Sequence, residues 1–175
     1  MMLRLTPASA ALIVLVACGD GRQPGGTMDV AWTGADTSLY RAQASAIRCS
    51  EGGWLEVTSL SGDTGVGVVV YPKDSIPAGS YAVHDPADSL GQGAAVAIRW
   101  FGENAVHAFQ SRTGSVSLTE DTVGMLSGAF EAVVVSIMRP ETLRVEGTIQ
   151  RVAVTGGAAN CVATLPAAPA DTSVD

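Results

Sequence analysis

The sequence predicts an all-β protein, an antiparallel β-sandwich of roughly eight to ten strands, with an up-and-down β-barrel as the alternative. Three observations carry that expectation. Short stretches rich in Val, Ile, Thr and aromatic residues alternate apolar with polar positions, the period of a half-buried strand. Clusters of Gly, Asp, Asn and Pro separate these stretches at regular intervals. No segment sustains a helical period bounded by caps.

Met28, Val30 and Trp32 alternate with polar or small residues and predict a first strand ending at Gly34. Ala35 to Tyr40 reads as a loop, and the small-residue segment Ala42 to Cys49 fits strand or helix equally. Trp54 to Leu60 alternates, with Leu55 and Val57 on one face, and Ser61-Gly62-Asp63-Thr64-Gly65 supplies a turn. Val66 to Tyr71 is β-branched and suited to burial on both sides. Pro72 to Gly79 holds two prolines and breaks the pattern; Tyr81 and Val83 then mark a short strand, and Asp85 to Gly93 a loop. Ala94 to Phe101, the turn Gly102-Glu103-Asn104 and Ala105 to Gln110 read as a hairpin. Thr113-Gly114 predicts a turn into Ser115 to Thr119, and Val123 to Ile137 and Leu143 to Val154 are long strands joined at Arg139-Pro140-Glu141.

The two long strands echo each other. Leu126-Ser127-Gly128-Ala129-Phe130 has the pattern of Val145-Glu146-Gly147-Thr148-Ile149, and the match continues to Val135 and Val154. A glycine two places before a large apolar residue in both copies predicts a bulge or bend beneath a large side chain, within one curved hairpin. Two copies are too few for a solenoid.

Ahead of the predicted domain, Met1 to Leu5 carries one charge, Arg4, and Ala8 to Ala17 is apolar apart from Ser9. An apolar run of roughly ten residues suits a signal peptide and is too short for a permanent span of about 20. It ends in Leu15-Val16-Ala17-Cys18. This stretch resembles the lipobox of bacterial lipoproteins, in which the cysteine thiol receives a diacylglyceryl group and the preceding peptide is removed. The resemblance implies a signal peptide at 1–17, lipid on Cys18, and export to the bacterial cell envelope, periplasm-facing or on an outer membrane. Residues 18–27, glycine-rich and polar, would form a flexible tether, 28–162 the β domain, and 163–175 a disordered tail.

The chain carries a formal net charge of −7, and loss of Arg4 makes it one unit more acidic. Such a surface argues against nucleic acid as a partner and leaves the N-terminal lipid as the contact with the membrane. With Cys18 taken by lipid, Cys49 and Cys161 remain, in a compartment where disulfides persist, and they are expected to pair. The closed loop would be worth about 4–5 kcal/mol in the chain-entropy account.

Chemistry-bearing residues are few. His84 lies beside Asp85 and near Asp88, a grouping open to a metal or an acid–base role, yet it lacks the spacing of known zinc or calcium sites, so no metal or cofactor is expected. His107 falls in a strand, and no Gly-x-Ser-x-Gly elbow accompanies the serines. Glu120-Asp121 has the residue types of a glycosidase pair but reads as turn charges. Gly62, Gly65 and Gly67 lie between strands and read as turn glycines, not a phosphate cradle. Trp32, Trp54 and Trp100 would make a sugar-stacking platform if exposed together, and core packing otherwise. The expectation is therefore a non-catalytic, membrane-anchored domain offering a binding or scaffold surface to an envelope protein or glycan. A carbohydrate- or small-ligand-binding module and an envelope hydrolase are the alternatives.

Overall fold

Backbone pairing in a computed structural model makes the chain all-β; it describes residues 25–34, 36–50, 53–71, 78–88 and 92–158. Nine strands follow in order: β1 (Thr27–Gly34), β2 (Ser38–Cys49), β3 (Leu55–Ser61), β4 (Thr64–Tyr71), β5 (Gly79–Val83), β6 (Gly93–Phe101), β7 (Val106–Glu120), β8 (Met125–Ser136) and β9 (Thr142–Ala158). A single 3₁₀ turn, Pro86–Asp88, follows β5. The signal segment, Cys18, Cys161 and the tail lie outside the described residues.

The strands form one sheet that closes on itself, in the order β1-β2-β3-β4-β6-β5-β7-β8-β9 with β9 returning to β1. Two stacked sheets were the first expectation; a single closed sheet is what forms. Inward and outward alternation looks the same in both architectures, so the period alone does not separate them. Nor is the barrel plainly up-and-down. β5 is inserted between β6 and β7, and the β2–β9 and β5–β6 pairings are parallel.

Both departures are forks. β1 pairs with β2 and β9 from Thr27 onward; past its first residue β2 and β9 meet directly, Ala46 opposite Val154. At the second fork β6 pairs with β7 as far as Ala97 opposite Gln110, and then β5 takes over from Val83 opposite Gly114. The changeover would strand backbone groups, and Ser111, fully buried, meets that need. Its hydroxyl donates to the His84 carbonyl at 2.8 Å and accepts from the Val96 N–H at 3.1 Å. Arg112, the next residue, pairs with Asp85.

The region around Thr113-Gly114, expected as a turn, is a bulge inside one continuous strand β7, where the register to β8 shifts between Ser111 and Thr113. Gly114 has φ +146°, and a side chain there would collide with the Glu131 carbonyl. A second bulge lies in β9: Leu126 pairs with Val152 but Gly128 with Ile149. The extra residue on β9 puts Arg151 at φ 50°, its N–H held by the Ser127 hydroxyl at 3.1 Å. The inward set thereby moves from odd to even numbers, so Ile149 and Val152 are both buried. Two smaller corrections follow. β2 begins inside the expected loop, at Ser38, and the expected strand start at Val123 belongs to the β7–β8 turn.

Inward side chains from every strand fill the barrel in one core that includes Met28, Leu55, Ile98, Leu118, Leu143 and Ile149. The echo of β8 and β9 is reciprocal in register. Gly128 faces Ile149, and Phe130 faces Gly147, so each large side chain of the hairpin stands opposite the other strand's glycine. The Phe130 ring occupies the space that a side chain on Gly147 would need.

Candidate functional site

Strand direction gives the barrel two ends. β1 enters and β9 leaves at one of them, so both ends of the described domain emerge together. The opposite end holds the β3–β4 and β6–β7 turns and the β8–β9 connection. Most of the exposed large apolar residues gather at that far end: Leu39, Leu60, Phe101, Val106, Ile137 and Met138.

Two of the three tryptophans singled out from the sequence come together. Trp32 reaches from β1 to Trp100 on β6, ring centroids 5.6 Å apart and nearly parallel. Trp100 also stacks on its cross-strand neighbour His107 at 5.0 Å and on Phe109 at 5.2 Å. Trp32 is only 4 % exposed, and its indole N–H is buried with no partner among the described groups. The cluster therefore closes the far end of the core, and His107 belongs to it through its ring face. Trp54 precedes β3 at the other end of the barrel and joins no such stack.

The polar residues singled out are engaged in the fold. Asp85 binds Arg112, while the His84 backbone donates to Ala94 at 2.9 Å and accepts from Ser111. Among the described residues no three His, Cys, Asp or Glu side chains converge as metal ligands. Asp121 organises the β7–β8 turn: its Oδ1 accepts from the N–H groups of Met125 at 2.9 Å and Val123 at 3.0 Å, and Arg151 lies 3.3 Å from Oδ2. The backbone donor of Met125 is the main reason its carboxyl sits below the usual value of 3.8, with Val123 and the Arg151 guanidinium adding to it. Glu56 is moved the other way, above 4.5, by burial on the outside of β3. The Tyr71 hydroxyl beside it is raised by burial and then by the Glu56 charge, and it has no hydrogen-bond partner among the described groups. Cys49 is buried at the end of β2; Cys161 lies outside the described residues.

Two concavities mark the outer wall. The first, about 270 Å³, has a floor of Gly65, Gly67, Ala97 and Ala108 on β4, β6 and β7, rimmed by Leu60, Arg99 and Ile137. The second is broader, about 730 Å³, and crosses five strands from β7 through β8, β9 and β1 to β2. Two rows of outward side chains make its floor. Ser117, Ala129, Thr148, Asp29 and Arg41 are successive cross-strand neighbours, and so are Ser115, Glu131, Glu146, Ala31 and Leu39. Small side chains hold the middle open.

The charges in that groove are uneven. Asp29 is answered by Arg41 at 3.1 Å and by the Gln150 amide at 3.0 Å. Glu131 and Glu146 stand directly opposite each other, and among the described residues neither has an ion pair. The Ser115 hydroxyl offers Glu131 only a long 3.4 Å bond. Sequence reading passes over this pair because neither residue stands out alone. The register that pairs them is centred between Met138 and Arg139, ahead of the turn read at Arg139-Pro140-Glu141, so counting back from that turn would have set Glu131 opposite Ile149 instead.

No family model, curated protein or solved structure matches the chain. Fold and site therefore define a class by themselves: a closed, mixed β-barrel with a filled core, whose concavities lie on its outer wall.

Proposed function

We propose that this chain is a non-catalytic lipoprotein of the bacterial cell envelope, held to a membrane through lipid on Cys18 and working through the outside of its barrel. The observation that carries the reading is Leu15-Val16-Ala17-Cys18 at the end of a short apolar run. The fold is compatible with it in two respects. β1 begins at Thr27, soon after Cys18 in the sequence, and the start of β1 and the end of β9 lie at one end of the barrel, so the opposite end is the one farther from the proposed anchor. Core side chains occupy the barrel interior, which favours a surface role over an enclosed ligand. Envelope proteins or glycans are the partners in view.

A Cys49–Cys161 bridge forms part of the proposal. In the parallel β2–β9 pairing Cys49 stands opposite Ala158, three residues before Cys161. A bridge there would tie β2 to β9 beyond the end of β1, where the barrel closes.

The anchor is tested by Cys18→Ser. The unchanged protein is expected to sediment with membranes, resist a high-salt wash and enter the detergent phase on phase separation; the variant is expected to leave the membrane fraction. Equal partitioning of the two would overturn the lipid anchor.

A further inference from the structure

We propose that the groove across β7, β8, β9, β1 and β2 is a docking site for an extended polypeptide segment of a partner, one that carries an arginine or lysine and, two positions along on the same face, an apolar residue. This names the face and the partner chemistry of the surface role proposed above.

Like charges directly opposite on neighbouring antiparallel strands destabilise the pair, by roughly 0.2–1 kcal/mol relative to neutral residues. Glu131 and Glu146 are such a pair, and among the described residues neither has an ion-pair partner, although Asp29 on the adjoining strand β1 is paired with Arg41. The same strands are shaped around them. The bulges at Ser111–Thr113 and at Arg151 bend β7 and β9, and Ala31, Ala129, Ser115, Ser117 and Thr148 keep the floor low. The outcome is an open trough of about 730 Å³ with two adjacent carboxylates in its middle.

Complementarity follows from these features. Two carboxylates side by side match the planar fork of a guanidinium, or a single ammonium, and a cation between them would relieve their repulsion. The aliphatic stem of that side chain would lie over Ala129 and Ala31. Leu39, 86 % exposed at the end of the same row, offers a contact for the apolar residue two positions along, which an extended segment presents on the same face. The acidic surface, at net charge −7 for the chain, would speed encounter with a basic partner. A trough this open suits a chain laid along it better than an enclosed small molecule.

The probe is a fluorescein-labelled peptide of sequence Leu-Ser-Arg-Ser-Leu-Ser-Arg, which presents leucine and arginine on one face when extended, titrated by anisotropy at low salt with the intact protein in a non-ionic detergent. Its counterpart with glutamate for arginine serves as the negative probe. Binding of the basic probe is expected, weakening as salt rises. Glu131→Gln with Glu146→Gln should weaken it at least tenfold, while Glu103→Gln with Glu141→Gln, the same charge change at the far end, should leave it within twofold. The groove variant should melt no lower than the parent, because a repulsion has been removed, so loss of binding cannot come from loss of fold. Absence of binding, equal weakening by both double variants, or calcium chloride alone perturbing the same two carboxylates would overturn the proposal. Since the titration does not depend on lipid at Cys18, it fails or succeeds apart from the anchor.

Discussion

One side of the barrel is regular and the other is bent. β3, β4 and β6 are strands of seven to nine residues whose mutual registers run without interruption. β7, β8 and β9 span twelve to seventeen residues and carry register shifts, a Gly114 at positive φ and a left-handed Arg151. The regular wall is built by repetition of Val, Ala and Gly. The bent wall is built by exceptions to that repetition, and the broad acidic groove lies on its outside. Regular pleating makes a stable surface; the interruptions make a shaped one.

The largest expected effect tests the packing of the bent wall. Phe130→Ala should cost about 3–5 kcal/mol, the usual range for deleting a buried phenylalanine, because the ring fills the space above Gly147. Urea unfolding of the variant measures it. A loss below about 1 kcal/mol would mean that the ring is not part of the core.

A glycine pair sharpens the contrast. Gly114→Ala should destabilise by roughly 1–3 kcal/mol, since φ +146° and the nearby Glu131 carbonyl both oppose a side chain. Gly67→Ala on β4 meets open space and should stay within about 0.5 kcal/mol of the parent. Similar costs at the two positions would erase the distinction between the walls.

The smallest effect is one of sign with pH. Asp121, in the turn of the bent wall, has its carboxyl lowered from 3.8 in the fold. Its stabilisation is present above that value and is lost as pH falls through the folded one. Glu56, on the regular wall, is raised from 4.5 by burial, so its contribution is greatest below that value and is lost as pH rises through the folded one. Asp121→Asn should flatten the acid limb of a stability–pH curve, whereas Glu56→Gln should relieve the protein at neutral pH. Chemical denaturation at several pH values separates the two, and the same sign for both would contradict the geometry.

The two walls also differ in how far the sequence foretells them. Alternation at Leu55 and Val57 and the β-branched run Val66 to Tyr71 place β3 and β4 to within a residue or two, because a regular strand is a local pattern. The run reads as buried on both sides, whereas Val66, Val68 and Val70 are buried and Gly67, Val69 and Tyr71 only half-buried. At Thr113-Gly114 the same local rules predict a turn; pairing with β8 on the far side of the residue keeps β7 continuous. The insertion of β5 and the parallel β2–β9 contact involve residues far apart in the chain and leave no local mark. The paired glycines of β8 and β9 read as a bulge or bend beneath a large side chain; Phe130 does lie over Gly147, while the bulge of β9 falls at Arg151. The tryptophans divided: Trp32 on β1 and Trp100 on β6 lie four strands apart around the barrel, a neighbourhood that only closure creates.

The most direct test of the central claim, a barrel held by its N-terminus that leaves its walls free, is the intact mass of the protein extracted from its own membrane. The account predicts a chain beginning at Cys18, carrying a diacylglyceryl group, and two hydrogens lighter than the reduced form through the Cys49–Cys161 bridge. A mass showing an uncleaved chain, or a chain without acyl groups, would contradict it.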